Sequence, residues 1–475
     1  MNMKLSEVKK ELLPPYGTQA LCRNLVDTKF ESLSEDNVAM LKSRLLDMTG
    51  CIFGGDIVPE DRFFYDLLKR QGGAEEAPLF ADKGRLPLTS AVMHNCIHAR
   101  ANDYGNMNVE IFGEGIASHF GETMIPMSLT LADVFGVSGK DFITNQVVAE
   151  DTVARILYTL PDRWPTDMQL VSTAATAIAA RYYKLDAAQA KVAFSYAATN
   201  ATDPANSYYD YCQEFKLHNG ESARMGILAA EIAKSGCWNG LEDPYFGHWG
   251  LISNKVPEGC LPDLYEKAFD GLGAQYYTEM RFKKGPGGIP TTAADACGKL
   301  LRQKMIEKYG KADPEQIKAV HVFCSDNIRH NYYQNPFSLR SHVNALFSHQ
   351  FAVCCCLVYG ARRIDLVQTP AILANEMLVR LAENSTMGRY PSPDGKKYIK
   401  ATMELADGTV LEAEVDYDAS MAERPTQEFI EAKFWEQFDA FGKLPKHVGE
   451  EIIRLAGRIE ELDDMREYTS LLCLN

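Results

Sequence analysis

The sequence has no C-x-x-C pair, although it holds 12 cysteines in 475 residues. Structural zinc and iron–sulfur centres recruit thiolates at short fixed spacings, so neither is expected. Three cysteines stand side by side, Cys354-Cys355-Cys356, inside the apolar stretch FAVCCCLVYG. Consecutive residues on a helix point in different directions, so these thiols do not converge on one ion. They read as small buried apolar side chains. Basic residues are scarce too: 49 Lys and Arg stand against 64 Asp and Glu, for a net charge of -15. Phosphate backbones are bound by clustered cations, so no nucleic-acid partner is expected. A small anionic substrate meets only its own pocket and is not excluded. No apolar run reaches the ~18 residues of a membrane span. The opening MNMKLSEVKKELLPPYG lacks the apolar core of a signal peptide, so the expected compartment is the cytoplasm. P-loop, dinucleotide fingerprint, nucleophile elbow and H-E-x-x-H motifs are all missing, and the Gly-rich GPGG has the spacing of none of them. There are no repeats and no low-complexity segments.

What is present is an ordinary globular composition, 46% apolar and 24% charged, in a chain long enough for two domains. SEDNVAMLKSRLLDMTGCIFGG opens on a Ser cap and repeats Val38, Leu41, Leu45 and Met48 at helical spacing. MIPMSLTLADVFG, DFITNQVVAEDTVARILYTL, LVSTAATAIAARYYKL and DAAQAKVAFSYAATNA also predict helices, rich in small residues that permit close packing. The pattern changes near Gly271. AQYYTEMRF and IKAVHVFCSD alternate like strands, TAADACGKLLRQKMIEKYG predicts an amphipathic helix, and KKYIKATMELADGTVLEAEVDY a hairpin turning at Asp407-Gly408. EEIIRLAGRIEELDDM returns to a helix, with Ile452, Leu455, Ile459 and Leu462 on one stripe. The expected fold is mainly α: a large all-helical domain from both chain ends, 1–271 and 422–475, with an inserted α+β lid domain, 272–421.

Four stretches gather polar residues where local structure looks irregular. NCIHARANDYGNMN supplies His98, Arg100 and Asp103, and GEGIASHFGETMIP supplies His119 just before an expected Pro-started helix. EFKLHNGESARMGILAAEIAKSG puts Lys216 and His218 behind an expected Asn219-Gly220 turn, at the mouth of a small-residue helix beginning at Ser222. RFKKGPGGIPTTAADA carries Lys283, Lys284 and Thr292. Taken singly, an Asp in a loop is an ordinary turn residue, a lone His an ordinary structural one, and a Lys before a helix an ordinary solvated one. Their joint occurrence is the signal.

In order and spacing these segments resemble the MmgE/PrpD family, which includes 2-methylcitrate dehydratase, cis-aconitate decarboxylase and iminodisuccinate epimerase. LKSRLLDMTGCIFGG, NCIHARANDYG, ASHFGETMIPMSLTLADVFGVSGKDFITNQVVAEDTVARI, TAATAIAARYYKLDAAQAKVAFSYAA, FKLHNGESARMGILAAEIAKSG, MRFKKGPGG and FSHQFAVCCCLVYG carry the likeness over most of the chain. The resemblance implies a helical domain with an α+β lid, usually a homodimer, and a site between the domains needing no metal or organic cofactor. It implies proton transfer beside a carboxylate of a small di- or tricarboxylate. Matched position by position, Asp103, His119, Lys216 of the K-x-x-x-G segment and Lys283 of the F-K-x-x-P segment are the expected catalytic residues. His98, Arg100, His218, Lys284, Thr292 and Phe351 are candidate substrate contacts. On this reading Lys216 and Lys283 pair with substrate carboxylates, and Asp103 fixes a tautomer of His119 or binds a substrate hydroxyl. His119, with an unperturbed pKa near ~6.5, is the first choice for proton transfer.

The sequence departs from better-known branches of the family in four places. Trp164 stands near a branch histidine, Thr292 at the place of a lid histidine, and Phe351 where decarboxylase members have tyrosine. The first loop reads Asp103-Tyr104-Gly105-Asn106 and lacks a second acid beside Asp103. A dehydratase of a hydroxylated di- or tricarboxylate is the first expectation. Isomerisation or epimerisation of the same substrate class is the second, and a non-catalytic carboxylate-binding protein the third.

Overall fold

Ser34, Ser138 and Asp186 each accept from a backbone N–H three residues on, and so start the helices Glu35–Gly55, Gly139–Tyr158 and Ala187–Thr199. Such caps satisfy donors that the first helical turn leaves over. Gly136 and Gly236, at φ 61° and 66°, end Gly121–Phe135 and Glu214–Ser235 in the left-handed conformation that a side chain would disfavour. The computed structural model describes residues 17–160, 170–201, 207–247, 250–252, 262–328, 337–392, 394–421 and 424–474. The protein is mainly helical, with three small sheets among these residues.

Strands β1 (Ala77–Pro78) and β2 (Arg85–Leu86) pair antiparallel. β3 (Met107–Ile111) lies between β4 (Glu114–Ile116) and β5 (Met280–Arg281). The third, four-stranded sheet runs β7 (Thr386–Tyr390), β6 (Ile317–Ser325), β8 (Tyr398–Leu405), β9 (Val410–Asp416), with β6 and β7 parallel. β8 buries alternate residues, Ile399, Ala401, Met403 and Leu405, against the helix Pro290–Tyr309.

Apolar packing forms two main cores. One draws on Leu21 through Phe282 and on Ile430 through Leu472, so both ends of the chain share it. The other unites Tyr208 and Phe215 with residues from Ala293 to Ala413. β1–β4 lie in the part of the chain expected to be all-helical, and that description is corrected accordingly.

Four local expectations are revised. The Asn219-Gly220 turn is absent, and Glu214–Ser235 is one continuous helix. Gly220 serves a helix crossing: a Cβ there would meet Met93 Cγ at 2.9 Å and Ile97 Cγ1 at 3.0 Å. The helix after His119 starts at Gly121, with Pro126 inside it. Of AQYYTEMRF only Met280–Arg281 pairs as a strand. The last apolar stripe is broken: one helix ends at Ala456, and Ile459–Glu461 forms a short 3-10 turn.

A close crossing sets Glu214–Ser235 on the helix Val171–Tyr182, where a Cβ on Gly226 would lie 2.6 Å from the Ala175 carbonyl carbon. Alanine at an exposed helical glycine gains up to ~1 kcal/mol, whereas overpacking a core costs ~1–3 kcal/mol. Backbone cannot swing aside as a side-chain tip can, so the cost wins. Gly226→Ala is expected to destabilise the protein by about 1–3 kcal/mol in urea unfolding. Equal or greater stability would show that the two helices separate without penalty.

Candidate functional site

The helix Leu88–Arg100 delivers Arg100 to the interior, and the chain then turns sharply. Asp103 takes φ 46°, and its N–H donates to the Arg100 carbonyl at 3.0 Å. A left-handed non-glycine residue costs ~1–2 kcal/mol. Here the turn is pinned from outside. Gly287 donates its N–H to the carbonyls of Asn102 and Asp103, at 3.0 and 3.1 Å. Lys283 Nζ donates to the Asp103 carbonyl at 2.8 Å and to Oδ1 at 2.5 Å. Arg100 Nη1 donates to the same Oδ1 and, at 2.7 Å, to Glu122 Oε1. Arg100 Nη2 reaches the Tyr208 hydroxyl at 2.9 Å. Asp103 is therefore held by two cations, one from each side of its loop.

Asp103, Lys283 and Tyr208 border a cavity of about 70 Å³ that is also lined by His119, Asn108 and Tyr417, with Gly288 to Pro290 along one edge. That is small beside the ~300–1,000 Å³ of typical small-molecule sites. His119 sits between β4 and the helix Gly121–Phe135, and its ring stacks on Tyr208 with centroids 6.3 Å apart. Burial pulls the Lys283 ammonium below its ordinary pKa, while Asp103 and Glu122 oppose the fall. Burial raises the Glu122 carboxyl against the pull of Arg100 and Lys283.

Lys216 occupies a second buried cluster. Its Nζ lies 2.9 and 2.8 Å from the two carboxylate oxygens of Asp61 and 3.0 Å from His342 Nε2. An ammonium has three donors, and two carboxylate oxygens and an imidazole nitrogen surround this one. His342 Nδ1 faces Glu60 at 3.5 Å. Burial lowers the Lys216 pKa, partly offset by Asp61, and lowers that of His342, helped by Lys216. Desolvation works against the Glu60 carboxylate, but hydrogen bonds from His342 and Thr369 keep it well below the usual range. Arg100 bridges the two regions, with its guanidinium 5.0 Å above the Phe215 ring beside Lys216.

Three of the four expected catalytic residues, Asp103, His119 and Lys283, thus share one cavity, and Lys216 stands apart from its lining. Among the candidate contacts, Arg100 supports the cavity through Asp103 and Tyr208. His98 stacks on His94 and Tyr65, each with ring centroids at 4.2 Å, inside the helical core. His218 lies in a separate hollow with Ser172, Asn200 and Arg224. Lys284 is exposed and donates to the Ser420 carbonyl at 3.1 Å. Thr292 is buried in the first turn of Pro290–Tyr309, and Phe351 stacks on Phe337 at 5.9 Å within the second core. Trp164 lies outside the described residues. Tyr208, Glu122, Asp61 and His342 carried no sequence signal of their own. Among the described residues no group of three or more His, Cys, Asp or Glu is placed to hold a metal ion, and no helix is long and apolar enough to cross a membrane.

A histidine, a carboxylate and an ammonium thus line one buried cavity of a largely helical protein. The MmgE/PrpD N-terminal domain model matches residues 19–257, and the MmgE/PrpD C-terminal domain model matches residues 289–455. The chain belongs to the MmgE/PrpD family. The family includes hydro-lyases such as 2-methylcitrate dehydratase, and membership suggests a dehydratase-like or related lyase activity. No curated protein matches the sequence.

Burial holds His98 well below its ordinary pKa, lowers His342, and takes His349 down to about 3. Between those values and ~6.5 the unfolded chain accepts protons that the folded one refuses, so acid favours unfolding. Stability to urea should fall steadily as pH drops from 6.5 to 4.5, and His349→Phe should flatten the slope. A flat profile across that window would contradict the neutral buried histidines.

Proposed function

We propose that the protein is a cofactor-independent lyase that dehydrates a small hydroxylated di- or tricarboxylate. The reading rests on one observation: His119, Asp103 and Lys283 line the same cavity in a chain of a family that includes hydro-lyases. Lys283 and Arg100 supply the positive charge that a carboxylate substrate requires in a desolvated pocket. The N-terminus of Pro290–Tyr309 at the cavity edge adds backbone dipoles of the same sign. His119 removes the proton from the carbon beside a substrate carboxylate, and the hydroxyl on the neighbouring carbon leaves. Asp103, held by two cations, orients Lys283 and receives the substrate hydroxyl. Lys216, its ammonium already surrounded, sets the charge behind Arg100. The same proposal takes 272–421 as a lid inserted into a domain made from both chain ends; the existence of two apolar cores supports a division, while Tyr276 to Phe282 and Ile364 pack with the first core.

General acid–base groups contribute ~10²–10⁴-fold to rate. Proton NMR in deuterated water is the test, on citrate, 2-methylcitrate, cis-aconitate, malate, tartrate and iminodisuccinate. The wild type is expected to release an alkene from at least one hydroxy acid, and His119→Ala to slow that release by about 100-fold or more. A slowing of less than about threefold would remove His119 from the role. Deuterium incorporation or a new stereoisomer without elimination would replace dehydration by isomerisation.

A further inference from the structure

Removing a proton is half of a dehydration. Hydroxide is a poor leaving group, and the departing oxygen needs a proton of its own. Thr292 and Phe351 carry no titratable group and lie off the cavity lining, so the donor must come from elsewhere. Two phenols reach the cavity, Tyr208 and Tyr417.

The two differ in surroundings. Tyr208 is 1% exposed, and its oxygen accepts from Arg100 Nη2 at 2.9 Å. A guanidinium has donors and no acceptor, so the phenol's own hydrogen is directed away from Arg100. The Arg100 cation also stabilises the phenolate that remains when that hydrogen leaves. Phe215 and Phe347 pack on the ring, with centroids at 5.5 and 5.2 Å, and the His119 ring stacks on it at 6.3 Å. Tyr417 instead has the Lys397 ammonium 5.8 Å from its ring centroid. Burial pushes its phenol above the ordinary range, so that it keeps its proton.

We infer that Tyr208 is the general acid that protonates the departing hydroxyl, in a cavity where His119 takes the carbon-bound proton. The inference rests on the lyase reading above. His119 accepts the proton, the C–H electron pair becomes the second bond of the alkene, and the C–O bond breaks. The oxygen keeps that pair, takes the Tyr208 hydrogen and leaves as water. Imidazolium and phenolate remain on neighbouring rings, and transfer of one proton between them through solvent restores both.

Leaving-group replacement tests the assignment, because chloride departs as a stable anion and needs no proton. The probes are malate, citrate and 2-methylcitrate, each beside the analogue with chloride in place of hydroxyl. They are given to the wild type and to Tyr208→Phe, with thermal unfolding of both proteins as the folding check. The expected result is a loss of about 100-fold in water elimination by Tyr208→Phe, with chloride elimination within about threefold of wild type. Equal loss for both leaving groups would assign Tyr208 a packing role and overturn the inference. So would water elimination that survives the substitution. A wild type inert toward hydroxy acids and chloro analogues alike would defeat the lyase reading itself, and the Tyr208 role with it.

Discussion

The Asp103 carboxylate is held between two buried cations that reach it from different parts of the chain, and the rest of the site is arranged around that contact. Arg100 arrives from a helix of the larger core, and Lys283 from the segment joining β5 to the second core. Taking such charges out of water costs several kcal/mol per ion unless each is paired and hydrogen-bonded. Here the pairing is shared: Arg100 also serves Glu122 and Tyr208, and Lys283 also serves the Asp103 carbonyl. Removing any member would strand the others, so the arrangement fixes the 100–106 turn, the Gly-rich loop and the Tyr208 ring together.

Behind it lies a second tier of the same kind. Arg44 pairs with Glu150 and donates to Asn106 at 2.9 Å. Asn106 donates to Asp47 at 3.0 Å, and Lys433 joins Asp47 to the Tyr104 carbonyl at 2.6 Å. The Lys216–Asp61–His342 cluster is a third tier, contributed by both cores. Close helix crossings at Gly55, Gly220 and Gly226 leave little room for these tiers to shift. A rigid, low-dielectric surround is what lets a few groups exert strong local fields.

Much of this was legible in the sequence because it depends on local chemistry. Ser34 announces a helix start, Asp407-Gly408 announces a hairpin, and the polar stretches around Asp103, His119 and Lys283 stand out against apolar neighbours. The rest depends on distance along the chain. Asp61 and His342 lie 155 and 126 residues from Lys216, and no spacing rule joins them. Tyr208 sits in SYYD, a four-residue helix with no periodic pattern to mark one tyrosine from the next. At Gly220 a glycine after asparagine signals a turn locally, while in the fold its missing side chain admits another helix. The ring contacts of His98 with Tyr65 and of Phe351 with Phe337 likewise join residues that no local pattern connects.

The central claim is that the cations around Asp103 form a carboxylate site. Calorimetric titration of tricarballylate, a tricarboxylate with no hydroxyl to lose, tests it without requiring turnover. The wild type and Lys284→Met should bind it alike, because Lys284 is exposed and outside the cavity lining. Lys283→Met should bind it at least ~10-fold more weakly, since truncating a buried charged partner typically costs 2 kcal/mol or more. Equal binding by all three proteins, or a loss confined to Lys284→Met, would contradict the account.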